Sequence, residues 1–364
     1  MMDCVQTTLF NDERYLEQLN RKIAEERIPF SGSISPTHRC NLRCIHCYLG
    51  PQSSSRPTNP ELNTGQIRSL LDEITEAGCL FLLITGGEPL LRKDFPEIYR
   101  HAKGNGLIPT VFTNGTLITE PIAELFREFP PYSVEISLYG ATAPTYEKIT
   151  GVKGSYELCM RGIQLLLKNR INVQLKTMLM TLNSHEFFAI EETAKNIGVR
   201  FRFDAALFSC LTGDKTPLSF RVSPEDAVQK EFSDPVRCKN WKDHVMQRKD
   251  SPVEEDLYIC GAASSTFHID PYGNLHPCLM TDTIRYNLPA GNFLSGWYNI
   301  QRQIREKKTR EGFPCKGCSK VRYCNYCPAF FLLENGKEDS CSEYLCRLGS
   351  LRYHRLQQIM RNGG

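Results

Sequence analysis

From residue 32 onward, short apolar runs alternate with segments whose apolar positions recur every three or four residues. Ile67, Leu70, Leu71, Ile74 and Ala77 fall on one helical face, with Thr64 placed to cap it and Gly78 to stop it. Leu80 to Leu83 form an uninterrupted apolar run, the pattern of a strand buried on both faces. The pattern predicts strands at 32–35, 80–85, 109–113, 133–138, 173–180 and 200–206. It predicts helices at 64–77, 94–103, 120–129, 155–168 and 184–196. Strands that alternate with helices in this way require a parallel sheet covered by helices, an α/β fold.

Outside that block the pattern changes. Residues 13–26 are polar and helix-permissive and end at Pro29. Residues 207–259 are polar and interrupted by Pro217, Pro224, Pro235 and Pro252, the composition of a bridging region. Beyond it, 266–269 and 275–280 read as strands joined by Asp270-Pro271-Tyr272-Gly273, a turn with Pro second and Gly fourth, so a β-hairpin is predicted. The last twenty residues read as a helix whose arginines (Arg347, Arg352, Arg355, Arg361) form a solvated face. The chain thus divides into an N-terminal extension (1–31), a core (32–206), a bridge (207–259) and a C-terminal domain (260–364).

Charge adds little: 44 basic against 41 acidic residues leave +3, no reason to expect nucleic-acid or membrane partners. No run of 18 apolar residues occurs, and the N-terminus carries no basic-then-apolar signal, so a cytoplasmic protein is expected. Sixteen cysteines in 364 residues change the picture. In a reducing compartment they argue for metal or redox chemistry over a disulfide frame.

Cys40, Cys44 and Cys47 stand in the spacing Cys-x3-Cys-x2-Cys, followed by Tyr48. Three thiolates on one short loop can hold three corners of a cubane iron–sulfur cluster and leave the fourth iron open, whereas a structural site wants four. Further on, a strand breaks at Thr85 into Gly86-Gly87-Glu88-Pro89, where the glycines allow close backbone approach to a ligand, Pro89 fixes the turn and Glu88 offers an acceptor to an ammonium group. Together these features resemble the radical S-adenosylmethionine (radical SAM) superfamily. The resemblance implies a partial (β/α)6 TIM-type barrel with its chemistry at the carboxyl ends of the strands. It also implies a [4Fe–4S] cluster on Cys40, Cys44 and Cys47, and S-adenosylmethionine held by Tyr48, Gly86, Gly87, Glu88, Pro89, Asn114 and Ser137. One electron then cleaves the nucleotide to a 5′-deoxyadenosyl radical that abstracts hydrogen. Asn114-Gly115 as a plain turn and Ser137 as a plain strand residue remain the alternatives. Where similar enzymes often carry an arginine for the nucleotide's carboxylate, this chain has Thr150; Lys148 or Lys176 is the substitute.

The second cysteine group comprises Cys315, Cys318, Cys324 and Cys327, with Cys260 and Cys278 before it and Cys341 and Cys346 after it. Alone, the run of four reads equally as a zinc ribbon or an iron–sulfur site. The whole layout is similar to the SPASM domain, which carries two auxiliary [4Fe–4S] clusters. The resemblance assigns Cys260, Cys278 and Cys327 to the first of these and Cys315, Cys318, Cys324 and Cys346 to the second. The last spacing of the run is x2 where x3 is commoner, and an eleventh ligand is missing. Cys238 or Cys341 supplies it, or the first auxiliary cluster keeps an open iron.

Other residues invite overreading. His46, between two ligands, reads as a packing group before a metal ligand. Cys79, Cys159 and Cys210 have apolar neighbours and read as buried free thiols, and Cys4 lies near the terminus. No catalytic acid or base can be named. The expected activity is oxidative radical modification of a peptide or protein side chain, with a flavodoxin or ferredoxin as reductant. Two alternatives stay open: the same chemistry on a small metabolite such as a sugar, tetrapyrrole or cofactor precursor, and a non-enzymatic zinc or iron–sulfur binding or electron-transfer protein.

Overall fold

The structure is a computed structural model that describes residues 12–50, 60–247 and 253–362, so Cys4 and Pro252 lie outside the described residues. Helix α1 (Asp12–Glu26) precedes β1 (Ser31–Ile34), α2 (Thr64–Glu76), β2 (Phe81–Ile84), α3 (Phe95–Gly104), β3 (Ile108–Thr113), α4 (Glu120–Glu128) and β4 (Ser133–Ser137). Then come α5 (Ala143–Thr150), α6 (Ser155–Lys168), β5 (Val173–Met178), α7 (Phe187–Asn196) and β6 (Arg200–Asp204). The bridge carries α8 (Pro224–Glu231) and α9 (Pro235–Gln247). The C-terminal part holds β7 (Thr266–Ile269), β8 (Asn274–His276), β9 (Tyr286–Asn287), α10 (Phe293–Glu306), α11 (Pro328–Asn335) and α12 (Glu343–Asn362).

Strands β1 to β6 pair in parallel in sequence order, as alternation with helices demands. This is the expected partial (β/α)6 barrel. Its outward-facing residues, among them Ile34, Leu82, Val111, Val134, Ile136 and Leu175, are buried against the helices, where Ile67, Leu71, Ile98, Phe126 and Leu166 meet them. Helix α2 starts where its cap residues dictate: Asn63 accepts from the Gln66 backbone, and the Gln66 side chain returns the bond in a capping box.

Helices α5, α10 and α11 lie where the pattern predicts none, and three further features depart from the sequence expectation. The hairpin does not stand apart: β7 pairs in parallel with β1, and β8 and β9 extend the same sheet, giving the order β6-β5-β4-β3-β2-β1-β7-β8-β9. Pro224 and Pro235 open helices in the bridge, because proline suits a first helical turn that has no use for its missing N–H. Arg352 is not on a solvated face. It is 2% exposed and forms a fork with the Glu231 carboxylate at 2.7 and 2.5 Å, tying α12 to α8, while Arg347 makes the surface pair with Glu225.

The C-terminal part docks on the barrel mouth. Arg221 reaches the Leu207 carbonyl and both Glu334 oxygens, and its guanidinium lies over the Phe330 and Tyr344 rings. Ser209 donates to the Leu333 carbonyl at 2.6 Å, and Tyr344 to the Ala205 carbonyl at 3.2 Å.

Candidate active site

The chain leaving β1 crosses the end of β2 before entering the three-cysteine loop. Gly87 N–H donates to the Thr37 carbonyl and Glu88 N–H to the Arg39 carbonyl, each at 2.9 Å. A Cβ on Gly87 would stand 2.2 Å from the Arg39 carbonyl oxygen; one on Gly86, whose φ is +113°, would stand 2.5 Å from that of Thr37. The space the two glycines save is therefore filled by this chain's own backbone, which presses the loop onto the strand end. Buried Arg92 supports the crossing from below, donating to the Pro36 and Leu62 carbonyls at 2.9 Å and held by Asp94. Glu61 takes the Thr37 hydroxyl at 2.6 Å and the His38 N–H at 3.2 Å. Neither Arg92 nor Glu61 bears a motif, and the sequence reading missed both.

Helix α5 ends against the same loop. Its last carbonyls, Ile149 and Thr150, would lack helical donors, and they accept from the Ile45 N–H at 3.1 Å and the Arg43 N–H at 2.8 Å. Thr150, the departure noted in the sequence, thus holds the loop through its backbone, while its hydroxyl pairs with Ser155 at 2.8 Å.

Cys40, Cys44 and Cys47 converge within this frame. Burial raises the Cys44 thiol, and the neighbouring Cys47 and Cys40 raise it further; burial pushes Cys47 up to about 11. Three half-buried thiols that resist ionisation together are the donor set that iron would turn into thiolates, and they fit a cluster with one open corner. Among the described residues, no three His, Cys, Asp or Glu side chains close to the spacing of a single bound ion. A cubane is larger than one ion and sets its thiolates further apart.

Around the three thiols, Tyr48 donates to the Gly86 carbonyl at 3.3 Å. Asn114 donates to Asn41 Oδ1 at 2.9 Å and lies 3.8 Å from Cys40 Sγ. Ser137, the last residue of β4, hydrogen-bonds Tyr139. Pro89 opens a short 3₁₀ turn capped by Glu88. His46 is buried and stays neutral, held down at about 4 by burial. Its ring packs edge-on against Tyr139 at 4.6 Å, and its Nδ1 has no hydrogen-bond partner among the described residues.

Glu88 does not face open space. Its carboxylate accepts from the Thr113 hydroxyl at 2.9 and 3.0 Å, the Asn114 N–H at 2.8 Å and the Leu90 N–H at 3.1 Å. Burial lifts its carboxyl to about 7, although those donors oppose the shift.

The remaining cysteines form two groups. Burial, then the charges of Cys278 and Cys260, push Cys327 up to about 12; Cys278 also contacts the Thr281 hydroxyl at 2.9 Å. Cys346 is pushed up to about 12 by burial and by Cys341 and Cys324, and Cys315 is raised by burial and by Cys341, Cys346, Cys324 and Cys318. Cys341 therefore sits with the second group, which numbers five, and the first stands at three. Cys238 lies on α9, its thiol 3.5 Å from the Phe232 carbonyl. Rings link the first group to the loop: Tyr48 to Phe208 at 6.1 Å, Phe208 to Phe330 at 6.2 Å, with the Phe330 N–H 3.4 Å from Cys327 Sγ. Cys79, Cys159 and Cys210 are buried. The first two lie in the apolar core, and the third donates to the Cys47 carbonyl at 3.3 Å.

Comparison with known proteins agrees with this geometry. Residues 34–197 match the model of the Radical SAM superfamily. The chain is 29% identical over 317 residues to an AdoMet-dependent heme synthase of Methanosarcina barkeri, covering 80% of this chain and 89% of the relative. It is 27% identical over 328 residues to the mycofactocin maturase MftC of Mycobacterium tuberculosis, covering 85% and 80%. In fold it is similar to Streptococcus suis SuiB bound to the precursor peptide SuiA, with a TM-score of 0.67, 16% identity and coverage of 95% and 83%.

Proposed function

Because the chain belongs to the radical SAM superfamily, as an enzyme with a C-terminal SPASM domain, we propose that it oxidatively modifies a side chain of a peptide or protein. The observation that carries this reading is the likeness to a maturase across 85% of the chain. SuiB, whose structure holds a precursor peptide, shares the fold and so supports a barrel of this shape admitting one. When bound, the [4Fe–4S] cluster and S-adenosylmethionine supply the radical that removes hydrogen from carbon.

The chain's own residues position and shield that chemistry. Cys40, Cys44 and Cys47 hold the cluster; Ile149 and Thr150 fix their loop from one side and Gly86–Gly87 from the other. Tyr48, Gly86, Gly87, Glu88, Pro89, Asn114 and Ser137 line the place for the nucleotide. Glu88 acts by bracing the Thr113–Asn114 strand end, and the Gly86 carbonyl accepts from the Tyr48 hydroxyl. Cys260, Cys278 and Cys327 would hold one auxiliary cluster, three thiols for a group that takes four. The second is held by four of the five thiols Cys315, Cys318, Cys324, Cys341 and Cys346, and a flavodoxin or ferredoxin delivers electrons.

A second reading rests on the heme synthase relative, matched over 89% of its length: the substrate is then a porphyrin precursor. Anaerobically reconstituted enzyme with dithionite and S-adenosylmethionine distinguishes the two. Short peptides encoded beside the gene, tested against iron porphyrins, should yield 5′-deoxyadenosine and a mass-shifted peptide in equal amounts. A modified porphyrin with the peptides unchanged would replace the first reading by the second.

A further inference from the structure

The turn that follows β8 folds back onto the cysteine it begins with. Cys278 stands two residues beyond the end of β8, and the Thr281 N–H donates to its carbonyl at 3.2 Å. Buried His276 holds this turn from the strand, its Nδ1 donating to the Thr281 carbonyl at 3.0 Å. Thr281 is left 1% exposed, with its hydroxyl 2.9 Å from Cys278 Sγ. Between a thiol and a hydroxyl either group can donate. A sulfur bound to iron carries no proton, so in the loaded protein the hydroxyl is the donor.

Other donors converge on the same group. The backbone N–H groups of Met280 and Thr281 face Cys278 Sγ. Cys327 caps α11: its sulfur accepts from the Phe330 N–H at 3.4 Å, and Ala329 adds a second N–H. That sulfur therefore sits at the positive end of a helix dipole. The second group is built differently. Five thiols crowd there, and Cys315 has Cys341, Cys346, Cys324 and Cys318 around it. Cys324 meets the Tyr326 N–H but also lies 3.4 Å from the Val321 carbonyl oxygen, an acceptor. Reduction of a cluster adds one electron and no proton, and part of the added charge rests on the sulfurs. Donors and a helix dipole stabilise the reduced form, whereas neighbouring thiolates oppose it, so both differences act in one direction.

We propose that the Thr281 hydroxyl, bonded to Cys278 Sγ, makes the auxiliary cluster on Cys260, Cys278 and Cys327 the more easily reduced of the two. The proposal rests on the SPASM reading, by which these thiols hold iron. An electron held in the C-terminal part then settles on the cluster beside Phe330, where the rings of Phe208 and Tyr48 lead back to the three-cysteine loop.

The test is a potentiometric titration with dithionite and mediators, read by EPR, on the anaerobically reconstituted full-length chain. Cys40→Ala, Cys44→Ala and Cys47→Ala together remove the N-terminal signal, and iron is counted first. Roughly four irons in place of about eight would end the cluster reading, and the proposal with it, before any potential is measured. With eight irons, two reduction steps are expected. Thr281→Val keeps the shape and loses the hydroxyl, and should move the higher step alone to lower potential by about 59 mV, a tenfold fall in the ratio of reduced to oxidised cluster. Thr281→Ser should leave that step in place. Two unmoved steps in Thr281→Val, or a shift confined to the lower step, would overturn the proposal. Thr281→Ala replaces Thr281→Val if the latter loses iron. Loss of iron in both would make the hydroxyl a requirement for holding the cluster, which also overturns it.

Discussion

The Glu88 carboxylate closes on Thr113, whose hydroxyl donates to both of its oxygens at 2.9 and 3.0 Å. Burial raises the Glu88 carboxyl from 4.5 to about 7. Unfolded, the group loses its proton near 4.5; folded, it keeps it to about 7. Its contribution to stability is therefore greatest below 4.5 and declines as pH rises through that window, by on the order of 3 kcal/mol. The apo chain should melt lower at pH 7.5 than at pH 5. Glu88→Gln should be less stable by about 1–3 kcal/mol at pH 5 but flatter with pH. Equal slopes in the two proteins would clear Glu88 of the effect.

Gly87→Ala places a methyl 2.2 Å from the Arg39 carbonyl oxygen and 2.6 Å from that of His38. Backbone cannot swing aside as a side chain can, so the cysteine loop must lift. The expected cost is about 1–3 kcal/mol in melting experiments. The variant should lose roughly four irons on reconstitution while the C-terminal iron remains. Full iron content and undiminished 5′-deoxyadenosine formation would show that the crossing tolerates the methyl.

Arg352→Met leaves the Glu231 carboxylate without its fork, in a place where both groups are enclosed. A loss of about 3–5 kcal/mol is expected, read as a fall in the urea midpoint. Arg347→Met breaks a pair that is more than half exposed, and should leave the midpoint almost unchanged.

On the proposed second auxiliary cluster, five thiols meet where a cubane takes four, so Cys341 and Cys346 are expected to stand in for each other. Either single serine variant should keep the second auxiliary cluster, while the double variant should lose roughly four irons by chemical assay. Loss in one single variant alone would identify that residue as the sole ligand.

What the sequence disclosed depends on the range of each interaction. Parallel strands and their helices were legible because a strand buried on both faces is apolar over its length and a covering helix repeats every three or four residues. The cysteine loop and Gly86–Pro89 were legible because their chemistry is carried by neighbours in the chain. Glu88 read as an open acceptor, since its donors Thr113 and Asn114 stand on another strand. Arg352 read as solvated, since the carboxylate that buries it comes from α8. The pairing of β7 with β1 was invisible for the same reason: a short strand does not name its partner. In the sequence Lys176 stands out only as a substitute for a missing arginine, since its place beside Phe112 depends on the curvature of the sheet.

Strand β1 has neighbours on both sides, β2 and β7, so the free borders of the sheet are β6 and β9. A closed stave barrel is entered only through its end, and a chain would have to be threaded terminus first. Here the wall is a sheet whose hydrogen bonds do not close on themselves among the described residues, and the alternate residues Arg200, Arg202 and Asp204 are exposed along its β6 border.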